Sequence, residues 1–173
     1  ESEVSVWGGA GAWGVVAALL LLSLWGAWST DRRLVAQMIT NLGAVNAQAG
    51  NADGAMLKAA QAQKVEVTAD SMRLAVEAGM LKIQQLAQSS ASSTPSTDVQ
   101  EQFKFLVEST VDAALRFVDR YPADYNSHLS LARVYDLLAA LKITGAYEGA
   151  EQAYLAAFER NPHSPEIALT LAR

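Results

Sequence analysis

There is no cysteine among the 173 residues, which rules out disulfide frameworks, thiolate metal sites and cysteine nucleophiles together. Histidine is scarce as well. His128 and His163 are the two present, on different helical units and with no second histidine at a metal-ligand spacing such as i, i+4, and both are expected to be solvent-facing or loop residues. No basic cluster exceeds Arg32-Arg33, the net charge is −5 and the pI is near 5.0, a balance that argues against a nucleic-acid partner. A glycine-rich phosphate loop is also missing: Gly8, Gly9, Gly11 and Gly14 lie inside an apolar stretch with no strand before them and no lysine. Asp119 and Asp124 flank Tyr121-Pro122, where helix capping and solvation account for them better than an acid pair. No catalytic residue, cofactor site or metal site is assigned, and the chain is expected not to be an enzyme.

Charge is absent altogether between Glu3 and Asp31, and the stretch from Val4 to Thr30 holds all four tryptophans. As a helix, the span from Trp7 to Trp28 is about 32 Å long, close to the roughly 30 Å hydrocarbon thickness of a bilayer. Trp7 near one end and Trp25 and Trp28 near the other stand where indole rings favour an interface with water, or a packed aromatic core. Residues 4–30 are therefore read as a hydrophobic, transmembrane-type helix. A signal peptide is rejected, because the chain starts Glu-Ser-Glu and the apolar run is too long. Since the first residue is not Met, the chain is expected to be a processed product or a piece of a longer one. Ala10, Gly14 and Ala18 recur every four positions with Gly11 beside them. Two readings are open: a flat ridge for close helix packing and assembly, or the ordinary small-residue content of membrane helices. Arg32-Arg33 after the segment and Glu1 and Glu3 before it point to the cytoplasmic side for the rest by the positive-inside rule, whereas sugar on the Ser/Thr tract would put it outside, so the side of the membrane stays open.

The remaining residues, about 140, suffice for one ordinary domain, and apolar residues in them recur at three and four spacing rather than two. An all-α fold follows. Leu34, Met38, Leu42 and Val45 form a stripe, Gly50-Asn51 supplies a turn, and Ala52 to Gln63 makes the second arm of a hairpin. A further helix covers about Ala69 to Gln88, with Met72, Val76, Met80, Ile83 and Leu86 on its apolar side. In residues 89–97, seven of nine are Ser or Thr and Pro95 is among them, which makes a loop. Thr97 and Gln100 have capping-box spacing, so a helix is expected from there to about Arg120, ended by Tyr121-Pro122. Helices are then expected over about Tyr125 to Leu141 and Tyr147 to Arg160, separated by a break at Gly145. Ser164 as cap and Pro165 at the first helical position start a last one. The divisions are thus 4–30, a hydrophobic helix; 31–88, a hairpin and following helix; 89–97, a linker; and 98–173, the C-terminal helices.

Stacked hairpins invite a search for a repeat. Leu42, Gly43, Gly50, Ala55, Ala59 and Ala62 resemble the tetratricopeptide repeat in residue type and offset. A second match runs through Leu131, Ala132, Tyr135, Ala150, Tyr154, Ala157 and Pro162, with about six extra residues near Lys142 to Ala146; Leu171 and Ala172 begin a further unit. The middle pair is degenerate, because Phe117 stands where the family prefers Ala. The resemblance implies an α-solenoid that binds proteins or packs on itself. More loosely, the hydrophobic helix, the Gly-Asn-Ala-Asp-Gly-Ala turn and the run Ala-Tyr-x-x-Ala-Phe-x-x-Asn-Pro-x-Ser-Pro-Glu-Ile resemble the C-terminal repeat region of bacterial O-antigen ligase-like membrane proteins. That likeness carries over no catalytic residue.

Of five tyrosines, Tyr135 and Tyr154 are expected in the repeat core, whereas Tyr121, Tyr125 and Tyr147 at helix ends are the candidates for a partner surface. Ser92, Ser93, Thr94, Ser96 and Thr97 belong either to a plain linker or to a site for O-linked sugar in an exported protein. Two functions remain, beside the further alternative of a C-terminal fragment of a glycan ligase- or polymerase-like membrane protein. One is a membrane-anchored interaction module with a lipid or protein partner. The other is a self-assembling, pilus-like surface subunit whose copies meet through the hydrophobic helix and through an open last repeat. The expected place is a membrane or the cell surface.

Overall fold

The structure is a computed structural model, and it describes residues 19, 23, 31–90 and 97–171. Seven α-helices are described: α1 (31–48), α2 (Ala52–Val65), α3 (Ala69–Ser90), α4 (Thr97–Arg120), α5 (Tyr125–Ala140), α6 (Ala146–Arg160) and α7 (Pro165–Leu171), with no strand among the described residues. The expected all-α class is met. Of the hydrophobic segment 4–30, only Leu19 and Ser23 are described, both helical, with Leu19 exposed. Ala10, Gly11, Gly14 and Ala18, and Trp7, Trp25 and Trp28 with them, lie outside the described residues. Among the described residues no helix is long and apolar enough to cross a membrane.

Local chemistry sets the helix ends. Asn51 caps α2, its side chain accepting the Gly54 amide at 2.9 Å, after Gly50 has turned the chain at φ +74°. At the start of α3, Thr68 and Ser71 cap each other: the Thr68 amide donates to Ser71 Oγ at 3.1 Å and the Ser71 amide to Thr68 Oγ1 at 3.2 Å. That reciprocal pair is a capping box built from two hydroxyls. Asp124 caps α5 through the Asn126 amide at 3.0 Å. Gly145, at φ +79°, starts α6 with no side-chain cap. The α3 helix runs on to Ser90, two residues into the tract expected as linker.

Each helix packs on the next one along the chain, from α2 on α3 through to α6 on α7, and α3 also touches α5. The turns are held by the neighbouring element. The Gln85 side-chain amide on α3 donates to the Gly50 carbonyl at 2.6 Å and Lys82 pairs with Asp53 at 2.8 Å, both reaching back to the α1–α2 turn. Arg32 donates to the Val65 carbonyl at 2.7 Å and Arg33 meets Glu66 at 3.0 Å, which joins the start of α1 to the end of α2. Both arginines therefore have a local partner, whatever their part in membrane topology.

Two buried clusters form. The smaller is made of Ala55, Ala59, Leu74 and Ala78 with Ala44, Ala47 and Met56 around it. The larger joins Val76, Ala114 and the inner faces of α5, α6 and α7, among them Leu129, Val134, Leu138, Tyr154 and Ile167. α3 enters both, Leu74 and Ala78 on one side and Val76 on the other. Val76 and Ile83 of its expected apolar side are fully buried, whereas Met72, Met80 and Leu86 are only half-buried and the buried Leu74 falls outside that stripe. Phe117, placed where the repeat pattern would put alanine, is the largest side chain that is fully buried.

α1 reverses the face its large residues suggest. Leu34, Met38, Leu42 and Val45 are 54, 67, 55 and 62% exposed, while Ala36, Thr40 and Gly43 are buried. The cause is the closeness of the hairpin. A Cβ added at Gly43 would stand 2.9 Å from Lys58 Cβ on α2 and would collide with the Leu74 side chain on α3. Only small residues allow that approach, and the large ones are left outside.

Candidate interaction site

The side-by-side packing of α3 and α5 leaves a recess of about 560 Å³. α3 supplies Glu77, Met80 and Leu81 to its wall, and α5 supplies Arg133, Asp136 and Leu137. Farther along, α5, α6 and α7 enclose a second recess of about 300 Å³, lined by Asp136, Tyr147, Glu151, Tyr154 and Leu171 among others. Asp136 belongs to both, so the two recesses are neighbours on one side of the molecule.

Their electrostatics are one-sided. Arg133, the cation of the first recess, pairs with Glu166 of α7 and Glu77 faces Arg73 at 3.8 Å, which leaves the carboxylates of Asp136 and Glu151 along the walls. Tyr154 is buried, and burial first, then the charges of Asp136 and Glu166, push its phenol above the ordinary value of 10.0; Arg133 opposes the shift. At neutral pH that phenol is protonated, an O–H able to donate a hydrogen bond. Apolar walls, an O–H donor and open carboxylates suit a segment of protein carrying apolar side chains and a cation better than they suit bond-breaking chemistry. Among the described residues no group of three or more His, Asp or Glu side chains is placed to hold a metal ion.

Of the three tyrosines proposed for a partner surface, Tyr147 is 70% exposed and lines the second recess. Tyr121 and Tyr125 are half-buried. The Tyr121 hydroxyl donates to the Val67 carbonyl at 3.2 Å and its ring meets Phe117 edge-on at 5.8 Å, while Tyr125 packs against the larger cluster. Tyr154 is in the core as expected, and Tyr135 is partly buried over Gly149. Ser92, Ser93, Thr94 and Ser96 lie outside the described residues; Thr97, the first residue of α4, is exposed.

His128 corrects an expectation. It is buried rather than solvent-facing, with Nε2 2.9 Å from the Pro122 carbonyl oxygen. That oxygen also accepts the Arg160 Nε–H at 2.7 Å, and Ser127 Oγ lies 2.8 Å from the Tyr121 carbonyl. The Tyr121-Pro122 turn is thus tied to α5 and to the end of α6, and His128 serves that junction. His163 is exposed. Asp124 caps a helix as expected, and Asp119 is exposed. The α3–α5 wall and Asp136 were not visible in the sequence, because lining residues such as Leu81 and Arg133 lie more than forty positions apart in it; the signal available was the surplus of acid.

No known protein family matches the chain, and no curated protein matches it at a significant level.

Proposed function

We propose that the chain is a non-catalytic scaffold, an α-solenoid of tetratricopeptide type, which offers its α3–α5–α7 side to a protein partner and is held in place through its apolar N-terminal segment. The observation that carries this reading is the serial packing of α2 to α7 with the added contact of α3 on α5. In a stack of hairpins each unit buries its face against its neighbours and leaves an extended side open for binding. The charge-free run from Val4 to Thr30 supports attachment to a membrane or to other copies. The implied place is a membrane or the cell surface.

Assembly into a surface filament is the second reading, and a specific observation favours it. Among the described residues the apolar α1 stripe and Leu169 of α7 stand exposed, and two unlike faces that copies can cover are what a head-to-tail, non-closing contact needs. Electron microscopy of mechanically sheared, detergent-free material, beside flotation with membranes, separates the two. Regular filaments in the sheared fraction support assembly; a chain that only floats and leaves in detergent as single particles supports the anchored scaffold. A chain that does neither defeats both.

A further inference from the structure

On a heptad count, Val35, Met38, Leu42 and Val45 of α1 occupy positions a, d, a and d, with Leu34 beside them. All five are exposed, whereas Ala36, Thr40 and Gly43 at b and f face the rest of the molecule. No charged residue occurs between Leu34 and Ala52. The stripe is therefore a seam of three-four-three spacing, placed opposite the face the fold already uses. That spacing fits a second helix, because two helices wound on each other repeat every 3.5 residues; a flat apolar surface accepts the same spacing over so short a stripe, and the choice of a helix rests on what gathers the copies.

We infer that this seam pairs with the same seam of a second copy of the chain, the two α1 helices lying parallel. The inference rests on the reading of the apolar segment as an attachment or assembly element, for a reason of size. Two heptads are fewer than a free-standing coiled coil needs, about three to four, so the pairing depends on something that gathers the copies. The run from Val4 to Thr30 ends where α1 begins. Any apolar phase that collects this run from two copies brings both α1 helices out side by side and in the same direction, which raises the effective concentration of one for the other. Parallel pairing also sets like charges at the same height, and the fold lessens that obstacle without removing it. Arg32 is turned to the Val65 carbonyl and Arg33 to Glu66 of their own α2, away from the seam, which leaves exposed Asp31, at the d position one turn before Val35, as the like charge at the outer end of the seam.

The lack of cysteine makes the test direct. Single variants Met38→Cys, Leu42→Cys and Gln37→Cys of the whole chain are mixed with phosphatidylcholine vesicles, oxidised mildly and run on non-reducing gels; Gln37 is exposed but off the seam. Disulfide dimers several-fold more abundant for Met38→Cys and Leu42→Cys than for Gln37→Cys are expected. Adding Met38→Glu and Leu42→Glu to a Val45→Cys chain should cut the dimer at least about tenfold, with helical content by circular dichroism unchanged because both sites are exposed in the single copy. Equal cross-linking at all three positions, or none, overturns the pairing. Flotation of the same vesicles keeps the two failures apart. No dimers from a floating chain defeat the pairing and leave attachment standing, with lipid or another protein on the seam. Seam-specific dimers from a chain that does not float keep the pairing and defeat attachment.

Discussion

The α1–α2 and α5–α6 hairpins share a plan: two helices joined through a glycine at positive φ, Gly50 at +74° in one and Gly145 at +79° in the other. They bury different things. The first brings its helices together with alanine, threonine and glycine and turns Leu34, Met38 and Leu42 outward. The second encloses Leu129, Leu131, Val134 and Leu138 and packs α5 against α3, α4 and α6. Among the described helices the first hairpin has α3 to bury against, whereas the second lies between α3 and α4 on one side and α7 on the other. Close backbones serve the first, while large side chains fill the space between layers in the second.

Equal truncations should break this comparison open. Leu138→Ala removes a side chain that is 3% exposed and should cost about 2–5 kcal/mol in urea unfolding followed by circular dichroism. Leu42→Ala, by the same measurement on the single copy, should stay within about 0.5 kcal/mol. If the two losses are alike, the α1 stripe is covered and the account of the first hairpin fails.

The next contrast sets one glycine against another. Gly43→Val forces α1 away from Lys58 and Leu74 and should destabilise by about 1–3 kcal/mol. Gly149→Ala places a Cβ 3.1 Å from the ring of Tyr135, which is half-buried and has room to move, and helix propensity returns up to about 1 kcal/mol. Near-neutral thermal stability is expected there, and a Gly43→Val chain of unchanged melting temperature would refute the close approach.

Helix caps give a smaller difference. Asn51→Ala loses the acceptor for the Gly54 amide and should cost about 1 kcal/mol, whereas Asn51→Gly should cost only a few tenths. In the second hairpin the dependence lies in the backbone: Gly145→Ala puts a Cβ on a left-handed residue and should cost about 1–2 kcal/mol despite the open space around it.

The faintest effect depends on pH. Tyr154 has its phenol raised in the folded chain, so folding loses stability as pH rises past the ordinary tyrosine value of 10.0, where the unfolded chain releases its proton first. Below that value the contribution is fully present. Tyr154→Phe should flatten the alkaline fall in melting temperature; a fall of unchanged slope would show that other groups cause it.

Much of the helix plan was legible because helix ends are local events. The expected start at Thr97 and end at Arg120, the Gly145 break and the Ser164-Pro165 start agree with the observed α4, α6 and α7. The Thr68 and Ser71 capping pair at the start of α3 is equally local. The facing of α1 was not legible, since its large apolar stripe marks the side that ends outside. Neither was the burial of His128, which depends on the Pro122 carbonyl six residues away being aimed into the junction of α4, α5 and α6.

By itself, then, the sequence determined that the described chain is helical and where most helices start and stop, because caps, prolines and glycines act over four residues or fewer. Tertiary structure alone decided which face of each helix turns inward. That choice depends on how near a second and third helix can come, and at Gly43 the room for a side chain is taken by Lys58, fifteen residues on, and by Leu74, thirty-one residues on.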